Sequence, residues 1–157
     1  MLKKFVFIIF TISFLYGEEN LKNDESYNKC LKGDQVECVV FILSLSEKDI
    51  DSTQKKKARE IVSRLNEFCK NGDLSVCNQI GLVYFLIGDT GKSVEYHKIG
   101  CDKNHDPSCY NLASRYIANT EKPDFKSAYT YYEKACEMGK KNQERIIINY
   151  NSSDGCV

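Results

Sequence analysis

Tryptophan is absent from this 157-residue chain, and proline and histidine each occur only twice. With His97 and His105 alone, and no H-x-H or H-E-x-x-H spacing, the usual hydrolytic zinc centres have no ligands. No C-x-x-C occurs, which removes the dithiol redox motif and the close ligand pairs of zinc knuckles. Charge of one sign is missing as well: 22 basic residues stand against 22 acidic ones. That balance offers no basic stripe for nucleic acid and no polybasic surface for lipid. The longest apolar run, Phe5 to Leu15, is too short for a comfortable membrane span.

That run has another use. Lys3 and Lys4 precede it, and Tyr16, Gly17 and the acidic pair Glu18-Glu19 follow. A charged start, a short apolar stretch and a small residue at a cleavage point make residues 1–17 read as an export signal. Its removal leaves 20 basic against 22 acidic residues, since only Lys3 and Lys4 are lost. A secreted or periplasmic location follows as an expectation, and an oxidising compartment suits eight cysteines.

The cysteines carry a pattern. Cys69 and Cys77 stand eight residues apart with Gly72 three places after the first, and Cys30…Gly33…Cys38 and Cys101…Asn104…Cys109 repeat it. Cys136…Gly139 opens a fourth copy whose second cysteine is displaced to Cys156. Residues eight apart on one helix are separated by about 12 Å, whereas a disulfide needs Cα atoms within roughly 7 Å. If these pairs are bonded, the chain reverses between them, and Gly or Asn at the third place suits the left-handed residue that closes a helix.

Successive copies are 39, 32 and 35 residues apart, bracketing the length of about 34 typical of paired-helix repeats. Past each second cysteine, Ile80, Gly81 and Tyr84 lie over Leu112, Ala113 and Tyr116, on one helical face with a small residue for close approach. Another helix precedes each first cysteine. Its clearest form runs from Lys126 to Cys136, with Ala128, Tyr131, Tyr132 and Ala135 at helical spacing and Asp124 as cap; its sister from Lys92 to Cys101 puts His97 at the Tyr132 position. Asp34 and Asp73 cap the corners, and Asp106-Pro107 reads as an N-cap with Pro at the first helical position. Cys38 to Leu45 is an apolar helix, Ser46 to Lys57 a longer polar loop entering a helix from Lys57 to Cys69, and Ile146-Ile147-Ile148 a last helix. The expectation is an all-α chain: an α/α superhelical solenoid of three to four antiparallel helix pairs, with no strand.

The residues Cys109-Tyr110-Asn111-Leu112-Ala113-Ser114-Arg115-Tyr116 and Lys126 to Gly139 resemble a Sel1-like repeat, a relative of tetratricopeptide repeats, and more narrowly the Helicobacter cysteine-rich proteins. The likeness is strong over 69–139, weaker over a degenerate first repeat at 22–68 and over a C-terminal capping helix and tail at 140–157, all within one domain, 18–157. It implies disulfides joining the end of one repeat to the start of the next. Together with the recurring spacing this assigns Cys30–Cys38, Cys69–Cys77 and Cys101–Cys109, and leaves Cys136 with Cys156 out of 105 formal connectivities. Family members are secreted; some are described as penicillin-binding proteins with slow β-lactamase activity, others as receptors for extended peptides.

Ser26-Tyr27-Asn28-Lys29 and Ser52-Thr53-Gln54-Lys55 match S-x-x-K in segments that read as loop-like or degenerate. Neither is accompanied by S-D-N or K-T-G, so no catalytic residue is nominated. In the repeat register the first helix of each pair lines the inner face, which places Asn78, Gln79, Leu82 and Phe85, with their counterparts Tyr110, Asn111, Ser114 and Ile117, in a groove. Amides that both donate and accept suit an extended peptide backbone, and the same groups also suit an ordinary solvated surface. The expected partner is a peptide, a muropeptide or another exported protein, bound by a monomer without cofactor or metal.

Overall fold

The computed structural model describes residues 24–45, 50–118 and 122–145, with side chains described to residue 141. The expected export signal, the Ile146–Ile148 helix and Cys156 lie outside these residues. All regular structure in the described residues is helical: a first helix over residues 24–31 (α1), then α2 (Gln35–Leu45), α3 (Ser52–Lys70), α4 (Leu74–Leu86), α5 (Thr90–Asp102), α6 (Asp106–Ala118) and α7 (Phe125–Arg145). None of them is long and apolar enough to cross a membrane.

The corners explain the order of the helices. Gly33, Gly72 and Asn104 all have positive φ, of 101°, 99° and 63°. Each closes its helix with the same pair of bonds: Gly72 N–H donates to Cys69 C=O at 3.0 Å and Asp73 N–H to Phe68 C=O at 3.1 Å, and the other two corners repeat this. The next residue then starts the following helix. Asp34 accepts from Val36 and Glu37 N–H, and Asp73 accepts from Val76 N–H. The reversal brings the cysteine Cα atoms to 4.6, 4.8 and 4.5 Å, and the three expected disulfides are formed. None of the described cysteines is free, and Cys136 too is disulfide-bonded.

A fourth corner of the same geometry carries no cysteine. Gly88 (φ 87°) donates to Phe85 C=O and Asp89 N–H to Tyr84 C=O, while Asp89 caps α5 through Lys92 N–H. Phe85 and Ser93 occupy the two cysteine places. The backbone therefore turns in this way without a covalent link.

The chain forms two compact units that divide within α3, between Ile61 and Val62. In the first, Tyr27 packs on Phe41 and donates its phenol to Glu60 at 2.6 Å, while Lys57 pairs with Asp24. Phe41, Ile42, Leu45, Ala58 and Ile61 are buried with the Cys30–Cys38 bridge. In the second, α4 packs on α5, α5 on α6 and α6 on α7. Alternate helices also touch: α4 and α6 through Asn78 and Asn111, α3 and α5 through Asn66 and Tyr96, α5 and α7 through Cys101 C=O and Lys134 Nζ. Within this unit the helices thus form two layers, α3, α5 and α7 in one and α4 and α6 in the other. Small residues permit the contact. A Cβ on Gly81 would lie 2.6 to 2.9 Å from the His97 ring, and one on Gly100 would run into the Ser108 side chain. Tyr116 and Tyr131 stack at 5.6 Å beside the buried Cys101, Cys109, Leu112 and Ala135.

Four local expectations are corrected. The segment 52–57 is helical, not loop, because Asp51 and Gln54 form a reciprocal capping box: Gln54 N–H donates to Asp51 Oδ1 at 2.8 Å and Asp51 N–H to Gln54 Oε1 at 3.0 Å. Both S-x-x-K matches lie on helices, 26–29 on α1 within the degenerate first repeat and 52–55 on the first turn of α3 rather than in a loop. At the third corner His105, not Asp106, stands at the cap position, and Asp106 is already the first residue of α6. Finally, the chain does not turn at Gly139: α7 runs through it to Arg145. Lys140 follows Gly139 where two of the stapled corners carry a capping Asp, and Glu144 stands where the second cysteine would close the bend.

Candidate functional site

The parallel helices α4 and α6 meet at two levels. At the first, Asn78 Oδ1 is a shared acceptor. Asn111 Nδ2 donates to it at 2.9 Å, His97 Nδ1 at 3.1 Å and Ser108 Oγ at 3.4 Å. Ser108 in turn lies 2.7 Å from His105 Nδ1. Because the amide oxygen can only accept, Nδ1 carries the His97 proton, and Nε2 is left as a bare acceptor with no partner. The ring is wholly buried against Gly81. Burial first, and the charge of Arg115 second, push the His97 pKa down to about 4. It is neutral at physiological pH. Burial likewise lowers His105.

At the second level Arg115 of α6 lies over the Phe85 ring of α4, with its guanidinium carbon 3.3 Å from the ring centroid. Its Nε and Nη1 are buried without a hydrogen-bond partner. Burial lowers the Arg115 pKa, and neighbouring Tyr132 works against that shift. Tyr132 also ties the rim together: its hydroxyl is 2.8 Å from Ser114 Oγ, and its ring meets Tyr110 edge-on at 5.1 Å. Since Ser114 donates to Tyr110 C=O, the Tyr132 hydroxyl donates to Ser114.

The eight groove residues read from the repeat register are thus distributed as follows. Asn78 and Asn111 bond each other across the two helices, so those amide groups serve the helix contact. Phe85 carries the Arg115 guanidinium, and Ser114 holds Tyr132. Tyr110 (58% exposed), Ile117 (41%) and Phe85 (36%) display apolar surface. Gln79 and Leu82 are half-buried.

Arg115 and Tyr132 were not nominated from sequence. Arg115 occupies the register place of Val83, which is fully buried in the preceding repeat. A cation where the sister helix buries an aliphatic side chain was the available signal.

The two S-x-x-K matches differ from a catalytic dyad in their chemistry. Ser26 is buried and hydrogen-bonds Glu37. Lys29 is held charged by Glu25 at 2.9 Å and Glu37 at 3.1 Å, which raise its pKa. A lysine acting as base must be neutral, so this pair is poorly matched to that role. Ser52 and Lys55 are both exposed on the first turn of α3. Among the described residues no group of three or more His, Cys, Asp or Glu could hold a metal ion. Protein-family models, curated proteins and solved structures were all compared with this chain, and none matches it.

Proposed function

We propose that this protein is an exported, disulfide-stapled α/α repeat module that binds a peptide ligand, including the peptide stem of a muropeptide, on the face shared by α4 and α6. The observation that carries this reading is the exposed apolar trio Phe85, Tyr110 and Ile117 on two parallel helices whose contact is fixed beneath by the Asn78–Asn111 bond. A face held rigid by hydrogen-bonded amides presents flat aromatic contact at little entropic cost. The resemblance to Sel1-like repeats and the export signal at 1–17 point the same way, and the three disulfides fit an oxidising compartment.

Capture of soluble muropeptides and of a peptide pool by the mature protein, read by mass spectrometry, tests it. Tyr110→Ala and Gln79→Ala, with helical signal retained, should weaken capture; unchanged capture by both variants would count against this face. The family's penicillin-interactive alternative predicts a stoichiometric adduct or turnover with a fluorescent penicillin, and the peptide-binding reading predicts neither.

A further inference from the structure

We infer that the disulfide at Cys136 is the exchangeable bridge of this protein, the site at which a small external thiol such as glutathione enters and forms a mixed disulfide. Four observations converge. The first is access. The six cysteines of the corner bridges are at most 5% exposed, whereas Cys136 is only half-buried. Exchange requires a thiolate to reach sulfur, so a buried bridge is shielded and a partly open one is not. The second is the side of α7 on which Cys136 sits. Phe125, Tyr129, Tyr132 and Cys136 follow one another at steps of four, three and four, along one helical face. Phe125 and Tyr129 are both exposed, so this is the open side of the helix.

The third is the length of the loop. The six corner cysteines are paired with one another, so of the eight in the sequence only Cys156 is left as the mate of Cys136. That bridge closes 21 residues where each corner closes nine. Chain-closure statistics make the return of a displaced thiol roughly three- to fourfold less favourable over the longer loop, so a mixed disulfide lasts longer there. The fourth is that α7 holds its place by other contacts. Tyr131 stacks on Tyr116, Tyr132 bonds Ser114, and Lys134 Nζ donates to Cys101 C=O. The helix also runs on past Cys136 to Arg145, whereas each corner bridge ties two helices at their turn.

The exchange balances without a further oxidant. The external thiolate attacks one sulfur of the bridge and bonds to it, the old S–S bond breaks, and the other cysteine leaves as a thiolate that takes a proton from water. A second external thiolate attacking the mixed disulfide releases the oxidised external dimer and a dithiol protein.

The test exposes the intact oxidised protein to reduced glutathione at neutral pH without denaturant. Samples are quenched at intervals with an alkylating agent, and the modified cysteines are mapped by mass spectrometry. Glutathione and alkyl label should arrive first at Cys136 and Cys156, at least about tenfold faster than at any corner cysteine, with circular dichroism still helical. First labelling at a corner cysteine, reduction of all four bridges together, or no exchange before the helical signal is lost overturns the inference. The paired variant Cys136→Ser with Cys156→Ser should take up no glutathione over the same interval; uptake at the wild-type rate also overturns it. The wild-type map decides the matter even where that variant fails to fold.

Discussion

Replacing Gly81 with alanine is the sharpest test of how the second unit is packed. A methyl group there would sit 2.6 Å from His97 Cε1, 2.7 Å from Nδ1 and 2.9 Å from Nε2. These are atoms of one rigid ring, itself fully buried, so no flexible end can swing aside. Overpacking of this kind costs about 1–3 kcal/mol. Displacing the ring also weakens its bond to Asn78, worth about 1 kcal/mol. Alanine in a helix gains back about 1 kcal/mol relative to glycine. The net expectation is a loss of about 2 kcal/mol, read as a lower urea midpoint at unchanged slope. The sign should invert once the ring is gone: in a His97→Ala background, Gly81→Ala should be neutral to stabilising, by up to about 1 kcal/mol. The double-mutant cycle would then give a coupling of about 2–3 kcal/mol. If Gly81→Ala alone changes stability by less than 0.5 kcal/mol, or the cycle shows no coupling, the close approach of α4 to α5 through His97 is wrong.

Four further outcomes are expected. His97 is held down to about 4 when folded, against an ordinary value of 6.5. The unfolded chain therefore takes up the proton first, and stability should fall as pH drops from 7.5, by about 2 kcal/mol at pH 5. His105 acts in the same direction, and His97→Gln should flatten most of the slope. Removing one staple with Cys101→Ala and Cys109→Ala should cost about 2.5 kcal/mol or more while circular dichroism stays helical; a loss under 1 kcal/mol would contradict the loop-entropy account. Asp51→Ala should destabilise by about 1 kcal/mol and fray the start of α3, seen as faster amide exchange at Gln54. Gly139→Ala, with open space at its Cβ, should instead raise stability by about 0.5–1 kcal/mol; a decrease would mean that α7 bends there.

Much of the fold was legible because its signals are local. Each stapled corner is written within nine residues: glycine or asparagine and two cysteines agree at all three, and an aspartate cap at the first two. The pairs Ile80–Tyr84 and Leu112–Tyr116 repeat at helical spacing and are buried or half-buried as expected. The start of α3 was missed because a capping box of Asp and Gln in a polar stretch has the composition of a loop. The corner at Gly88 has no cysteine signal to mark it, because Phe85 and Ser93 stand in the cysteine places. The site was harder. Register placed Phe85, Asn111 and Ser114 on one face, yet it could not show that Asn78 and Asn111 bond each other or that Arg115 reaches across to Phe85. Those contacts join residues about thirty positions apart, and periodicity within one helix says nothing about how far a side chain leans toward the next.

The eight-residue separation of the bonded cysteines has a consequence for biogenesis. No other thiol lies between Cys30 and Cys38, between Cys69 and Cys77, or between Cys101 and Cys109. As the polypeptide emerges from its N-terminus, each thiol meets its proper mate before the next couple appears, and the tight bend presents the two sulfurs to each other. For these three bridges the order of emergence favours the native partner over scrambled isomers, and oxidation of the reduced chain without an isomerase should return all three.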